Sequence, residues 1–326
     1  MNILRYSIFF LGFALLFSCK DEVKPKGSTI PQTKVKVPVF DGQGAYDFIQ
    51  KQVDFGKRVP GTEAHKKCKD WLVKTLEGNG AKVTVQEFKA SFLGVKDAES
   101  YNIIASFNPD KKKRVALAAH WDTRLIADKD DEKKDQPIDG ADDGGSGVGV
   151  LLQLAKIIQE NPIDLGVDII LFDAEDNGED TDDGSQTLTW CLGSQYWRDN
   201  LHQKGYKAKY GILLDMVGAK GARFPLEGYS TQYAPGIQKK IWDLAGRMGY
   251  GDLFQNVQYR GGITDDHVYM NEAGIPTVDI INLPTNTFGT YHHTHDDNMS
   301  LIDANVLRRV GQIVTTVLYK ESEGSF

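Results

Sequence analysis

Apolar positions recur with a helical period across residues 46–76, interrupted by Gly56-Lys57-Arg58-Val59-Pro60-Gly61. Glycine and proline punctuate the chain there, so the pattern predicts two helices. Thr62 is the N-cap of the second, and Gly78-Asn79-Gly80 ends it. The period then changes. Residues 82–88 alternate as a half-covered strand does, and 101–107 and 114–119 are further strands. Residues 146–158 return to a helix, with Val148, Leu151, Leu152, Ala155 and Ile158 on one face. The runs 167–172, with Asp168 its single charge, and 210–214 are almost continuously apolar, the mark of strands covered on both faces. Residues 193–201 and 235–248 read as helices, 277–281 as a strand, and Asp303 as the cap of a last helix through 318. Strands alternating with helices predict an α/β fold, a three-layer sandwich with a central mixed sheet flanked by helices.

Composition narrows the class. The chain has 326 residues, 40% hydrophobic and 25% charged, which suits an ordinary globular protein. A net charge of −7 argues against nucleic acid as a partner. Residues 1–18 carry Arg5 and then an apolar stretch too short to span a bilayer, as a signal peptide does. Leu16-Phe17-Ser18-Cys19 has the pattern of a lipoprotein box, with Cys19 the lipidated residue; an ordinary secretory signal is the simpler alternative. Residues 19–42, rich in Lys, Pro, Ser and Thr, read as a tether, which leaves 43–326 as a single catalytic domain. The expectation is a lipoprotein of the cell envelope, facing the periplasm or the exterior and touching membrane only through its lipid. A monomer is expected. Cys68 and Cys191 could pair in an oxidising compartment, or Cys68 could be an inert buried thiol beside Leu72 and Leu76.

Six short acidic or histidine-rich islands fall at strand ends or in the loops that follow. They are His120-Trp121-Asp122, Asp142-Asp143-Gly144-Gly145-Ser146-Gly147, Asp173-Ala174-Glu175-Asp176, Leu214-Asp215-Met216, Thr264-Asp265-Asp266-His267 and His292-His293-Thr294-His295-Asp296-Asp297. A bare carboxylate at a buried strand end is costly, and a cation offsets that cost. Asp143 either caps the following helix or turns a carboxylate into a site, since the glycines permit a sharp turn. Glu175 and Asp176 are adjacent, so one can bind metal while the other faces substrate. With His293, two carboxylates and one imidazole would leave zinc a fourth, open position, as catalytic sites do. Neither a nucleophile elbow nor a nucleotide-binding glycine loop is present in the sequence. Residues 128–139 read as a solvated charged loop, and 179–184 as a flexible acidic loop rather than a calcium site.

In order and spacing these islands resemble the zinc aminopeptidase superfamily and, within it, the animal-type glutaminyl cyclases, over about residues 45–320. The resemblance implies one zinc per chain, held by Asp143, Asp176 and His293, with Glu175 as general acid and base. Asp176 is a departure, because the family has glutamate there. Asp215 and Asp265 would share protons with Glu175 in a hydrogen-bonded acid cluster. The doubled aspartate of Thr264-Asp265-Asp266-His267 and the ending His293-Thr294-His295-Asp296-Asp297-Asn298 are cyclase-like. Ile263 and Phe288 match pocket residues. His292 stands where those cyclases carry Trp, and Trp190 could replace a second pocket tryptophan. The implied reaction converts the N-terminal glutamine of peptides or proteins to pyroglutamate with loss of ammonia. The runner-up is a di-zinc aminopeptidase using His120 and Asp215 as extra ligands; a metal-free binding protein is a distant third.

Overall fold

The structure, a computed structural model, describes residues 36–179, 188–259, 261–285 and 287–326. The segments read as signal peptide and lipid box, and most of the segment read as a tether, therefore lie outside the described residues, as does most of the acidic loop 179–184. The tether's last residues are packed: Phe40 is buried against Gly311, its N–H donates to Gln312, and Asp41 caps the first helix.

Helices α1 (Gly42–Val53) and α2 (Glu63–Gly78) come first, with Thr62 capping α2 through His65 N as expected. Strands β1 (Lys82–Phe92) and β2 (Val95–Phe107) are longer than their alternation predicts and form one hairpin. Its two-residue turn, Leu93-Gly94, has positive φ at both positions, which matches the twist of the flanking strands. Then follow β3 (Arg114–His120), α3 (Ser146–Glu160), β4 (Gly166–Phe172), α4 (Leu192–Asp199) and β5 (Gly211–Asp215). Four short elements were not predicted: β6 (Phe224–Leu226), α5 (Gly228–Tyr233), β7 (Phe254–Gln258) and α7 (Asp266–Glu272). The remainder, α6 (Pro235–Arg247), β8 (Thr277–Ile281) and α8 (Ala304–Ser322), lie where the pattern puts them.

Six strands form one mixed sheet in the order β1-β2-β4-β3-β5-β8, parallel from β4 through β8 and antiparallel at the β1–β2 edge. Residue alternation sorts the side chains into two cores. Val115, Leu117 and Ala119 of β3 join the layer of α1, α3 and α8, while Ala116 and Ala118 join Trp197 and Met270 on the opposite face. Both faces of the parallel strands are covered, which is why they read as unbroken apolar runs. The one charge inside β4, Asp168, accepts from Arg114, Ser106 and Tyr206, so its burial is fully compensated. From β3 the chain reaches β4 through α3 on one face and then β5 through α4 on the other. These opposite windings open a crevice at the carboxyl ends of the central strands, where such sheets bind ligands. Among the described residues no helix is long and apolar enough to cross a membrane. Cys68 and Cys191 are both free and buried, so they do not pair.

Candidate active site

The crevice holds a cavity of about 420 Å³, lined by all nine residues the sequence singled out: Asp143, Glu175, Asp176, Trp190, Asp215, Ile263, Asp265, Phe288 and His293.

Asp143 enters from the loop before α3. It is not a helix cap: Gly145 occupies that position, without a side-chain bond. The Asp297 carboxylate accepts from the N–H groups of both Asp142 and Asp143, at 2.7 and 3.1 Å, and so fixes the turn. Asp142 spends its own carboxylate on Gly218 N and the Tyr291 hydroxyl, at 2.7 and 2.5 Å. That leaves Asp143 to face the cavity. Gly144 permits the turn: its φ is +81°, and a Cβ there would stand 2.3 Å from Asp122 O.

Past β4, Ala174 adopts a left-handed conformation, φ 53°, and the chain doubles back. Asp122 holds the loop that results, accepting from Glu175 N, Asp176 N and Asn177 Nδ2 at 3.0, 3.3 and 3.1 Å. Asp173 is tied off by His65, Tyr101 N and Ala174 N. Glu175 accepts from the Cys191 thiol at 3.3 Å. Its carboxyl lies well above the ordinary range because of burial and the neighbouring Asp176, Asp265 and Asp266 charges, against the pull of His120. Burial and Asp143 likewise raise Asp176. Asp143 itself is lowered despite burial, by its bond to His120.

His293 stands at φ 59°, with Nε2 2.9 Å from Asp176 Oδ1 and 4.0 Å from Asp143 Oδ2. Tetrahedral zinc with bonds of 2.0–2.1 Å separates its ligand atoms by roughly 3.3 Å, between those two values. Asp143 Oδ2 and Asp176 Oδ2 are buried without a hydrogen-bond partner. Orphaned acceptors beside an imidazole nitrogen are what a divalent cation would satisfy, so this donor set fits zinc. Behind the ring, Asp128 Oδ1 lies 3.4 Å from His293 Nδ1 and is itself held by Arg124, the second layer typical of a metal-binding histidine. Sequence reading placed Asp128 in a solvated loop. Asp128 and Lys129 are indeed exposed, and the structure adds that both line the cavity.

In the acid cluster His120 Nε2 lies 3.2 Å from Asp215 Oδ1, and Asp265 comes within 4.8 Å of Glu175. Burial, helped by the Asp265 charge, raises the Asp215 carboxyl to about 8. The Thr264–His267 island begins in the loop after β7, as expected; Asp265 caps α7, and His267 reaches Glu227. His120 also lies 3.0 Å from Asp143, so His120, Asp143 and Asp215 form a second convergent set of metal-binding atoms.

The model of Peptidase family M28 matches residues 102–318. The chain belongs to Peptidase family M28. Its sheet and flanking helices are the family's zinc aminopeptidase-like fold, and membership implies zinc. Among solved structures, the Bacteroides thetaiotaomicron glutaminyl cyclase bound to N-acetylhistamine is 47% identical, covering 87% of this chain and 99% of that one at a TM-score of 0.83. A Zn-dependent exopeptidase from Parabacteroides distasonis is 46% identical over 87% of this chain and 99% of its own, at a TM-score of 0.82. The glutaminyl-peptide cyclotransferase of Bos taurus is 27% identical over 239 residues, 65% of this chain. The chain spans under two thirds of the first curated relatives' length, 64% of the bovine protein and 44% of a Bacillus subtilis aminopeptidase.

Proposed function

We propose that this family member is a glutaminyl-peptide cyclotransferase, closing N-terminal glutamine to pyroglutamate and releasing ammonia. Zinc, held by Asp143, Asp176 and His293, would supply Lewis-acid polarisation of the side-chain amide. Nucleophile and electrophile belong to one residue, so the protein's task is orientation. Phe288, Ile263 and Trp190 wall a cavity that takes one side chain together with its α-amine. Glu175 accepts a proton as the amine nitrogen bonds to the amide carbon, and returns one as the carbon–nitrogen bond breaks and ammonia leaves. A raised carboxyl pKa suits that exchange near neutral pH. Asp265, within 4.8 Å of Glu175, shares in the proton traffic of the cluster.

The observation that carries this reading is Glu175 facing the same cavity as the orphaned Asp143 and Asp176 oxygens, without being one of the atoms that converge on His293. Incubation with a glutamine-started peptide tests it: ammonia and pyroglutamate are expected, and free amino acids are not. The His120–Asp143–Asp215 set favours the second reading, a di-zinc aminopeptidase. Two zinc ions per chain and release of N-terminal residues other than glutamine would establish that instead. A lipid-anchored position at the cell envelope, through Cys19, completes the proposal; labelling with a fatty-acid analogue and its loss in Cys19→Ala test it.

A further inference from the structure

Four rings stand in a column along one wall of the cavity. Phe288 and His292 stack at 4.1 Å between centroids, His292 and His293 at 3.7 Å, and His293 and Trp190 at 5.9 Å. Two cations stand against the column, Lys129 Nζ 5.3 Å from the Phe288 centroid and the Arg124 guanidinium 4.9 Å from that of Trp190. His292 is the ring without an assigned task, although its ligand atom gathers with those of Asp143 and His293 within 4.8 Å. On that distance alone it could be a further metal ligand.

Lys129 decides otherwise. Its Nζ lies 2.6 Å from His292 Nδ1, and its backbone N–H donates to His293 O, so the side chain is placed by the main chain. An ammonium has three donors and no acceptor. His292 Nδ1 is therefore the accepting nitrogen, and the ring proton sits on Nε2. A protonated nitrogen has no lone pair for a metal. Nε2–H instead points into the corner of the cavity that holds Asp143, whose Oδ2 is 3.8 Å away. The stack on both faces stops the ring from turning out of that direction.

We propose that His292 is a substrate-binding residue whose Nε2–H, fixed by Lys129, donates to the side-chain amide oxygen of the glutaminyl substrate. The proposal rests on the cyclase reading above. It gives the amide oxygen a neutral donor beside the metal site, on the atom where negative charge grows as the ring closes. Lys129 acts through His292 and is a positioning residue.

Long-range 15N–1H spectra of the zinc-loaded protein read the tautomer directly, with His292→Phe giving the assignment. A protonated Nε2 and an unprotonated Nδ1 are expected. His292→Phe keeps the stack and removes the donor; zinc content by elemental analysis should be unchanged while kcat/KM for a glutamine-started dipeptide falls, on the order of a hundredfold for a lost oxyanion donor. His292→Gln should recover part of the loss. Lys129→Met should leave zinc unchanged, replace the single tautomer by a mixture and lower kcat/KM by a smaller factor. An unprotonated Nε2, a drop in zinc with His292→Phe, or unchanged kcat/KM in that variant overturns the proposal. The two readings fail differently. A wild-type protein that does not cyclise refutes the function, whereas an unprotonated Nε2 in an active enzyme refutes the role of His292 alone.

Discussion

Glu175→Gln separates the candidate base from the candidate metal site. The exchange keeps the side chain's shape, and a carboxamide oxygen can still accept from the Cys191 thiol that meets Glu175 Oε1 at 3.3 Å. The Glu175 carboxylate meets the Cys191 thiol and groups with Asp265, whereas Asp176 meets His293, so zinc content should stay at the wild-type value. What disappears is a proton acceptor. A positioned general base contributes on the order of 10²–10⁴ in rate, and at about 1.4 kcal/mol per decade that is about 3–5 kcal/mol of barrier. The upper part of that range is expected, because the cavity is buried and Asp176, Asp265 and Asp266 already bias Glu175 toward holding a proton. The assay is ammonia release from a glutamine-started peptide as a function of concentration, with zinc measured on the same sample. The expected result is a large fall in kcat with KM close to wild type. Turnover near the wild-type rate would show that Glu175 is not the base. Zinc lost together with activity would show that metal binding and proton transfer are not divided between neighbouring residues as argued.

Asp128→Asn should weaken zinc binding roughly ten- to a hundredfold, the usual effect of losing the carboxylate behind a metal-binding histidine; competition with a chelator measures it. Gly144→Ala forces a Cβ to 2.3 Å from Asp122 O at φ +81°. The strained backbone alone should cost about 1–3 kcal/mol in denaturant unfolding, with zinc affinity falling as Asp143 is displaced. Glu227 joins α5 to α7, accepting from Tyr229 N, Ser230 N, Ile263 N and His267. Burial would raise its carboxyl, but His267 and the backbone donors bring it from 4.5 down to about 2. A carboxyl held below its unfolded value stabilises the fold above that value and loses the effect as pH falls toward its folded one. The stability gap between wild type and Glu227→Gln should therefore approach about 3 kcal/mol at neutral pH and close between about pH 4.5 and 2. A gap that does not change with pH rejects the assignment.

The fold was legible wherever burial on two faces writes itself as an apolar run, as in β3, β4, β5 and β8. The hairpin β1–β2 was only half legible, because Lys96, Asp97 and Glu99 extend an exposed edge with residues that solvated loops also use. Elements such as β6, α5 and β7 carry little local signal, and α5 owes its N-terminus to a buried glutamate. At the site, residue types were readable but partners were not. Nothing local distinguishes Asp142 from Asp143; the difference lies in Gly218 and Tyr291, which bind the first and leave the second free for the cavity. Asp128 was hidden for the opposite reason, since a run of charges looks the same whether it is solvated or folded back on a histidine.

Backbone strain links these observations. In a strand, successive side chains point to opposite faces, so adjacent residues such as Glu175 and Asp176 could not both serve one cavity. A left-handed residue breaks the alternation. Ala174 does so just before Glu175, Met216 just after Asp215, Cys191 where its thiol meets Glu175, and His293 in its own backbone, with φ between 49° and 59°. Each such non-glycine residue costs about 1–2 kcal/mol. The network behind the cavity offsets this: Asp122 accepts three donors from residues 175–177, and Thr294 N bonds back to Tyr291 O around His293. These supports contribute no atom to the proposed chemistry, yet they aim Glu175, Asp176 and His293. Loss of Asp122 should therefore cost more in function than its distance from substrate would suggest, because it would release the base and a metal ligand at once.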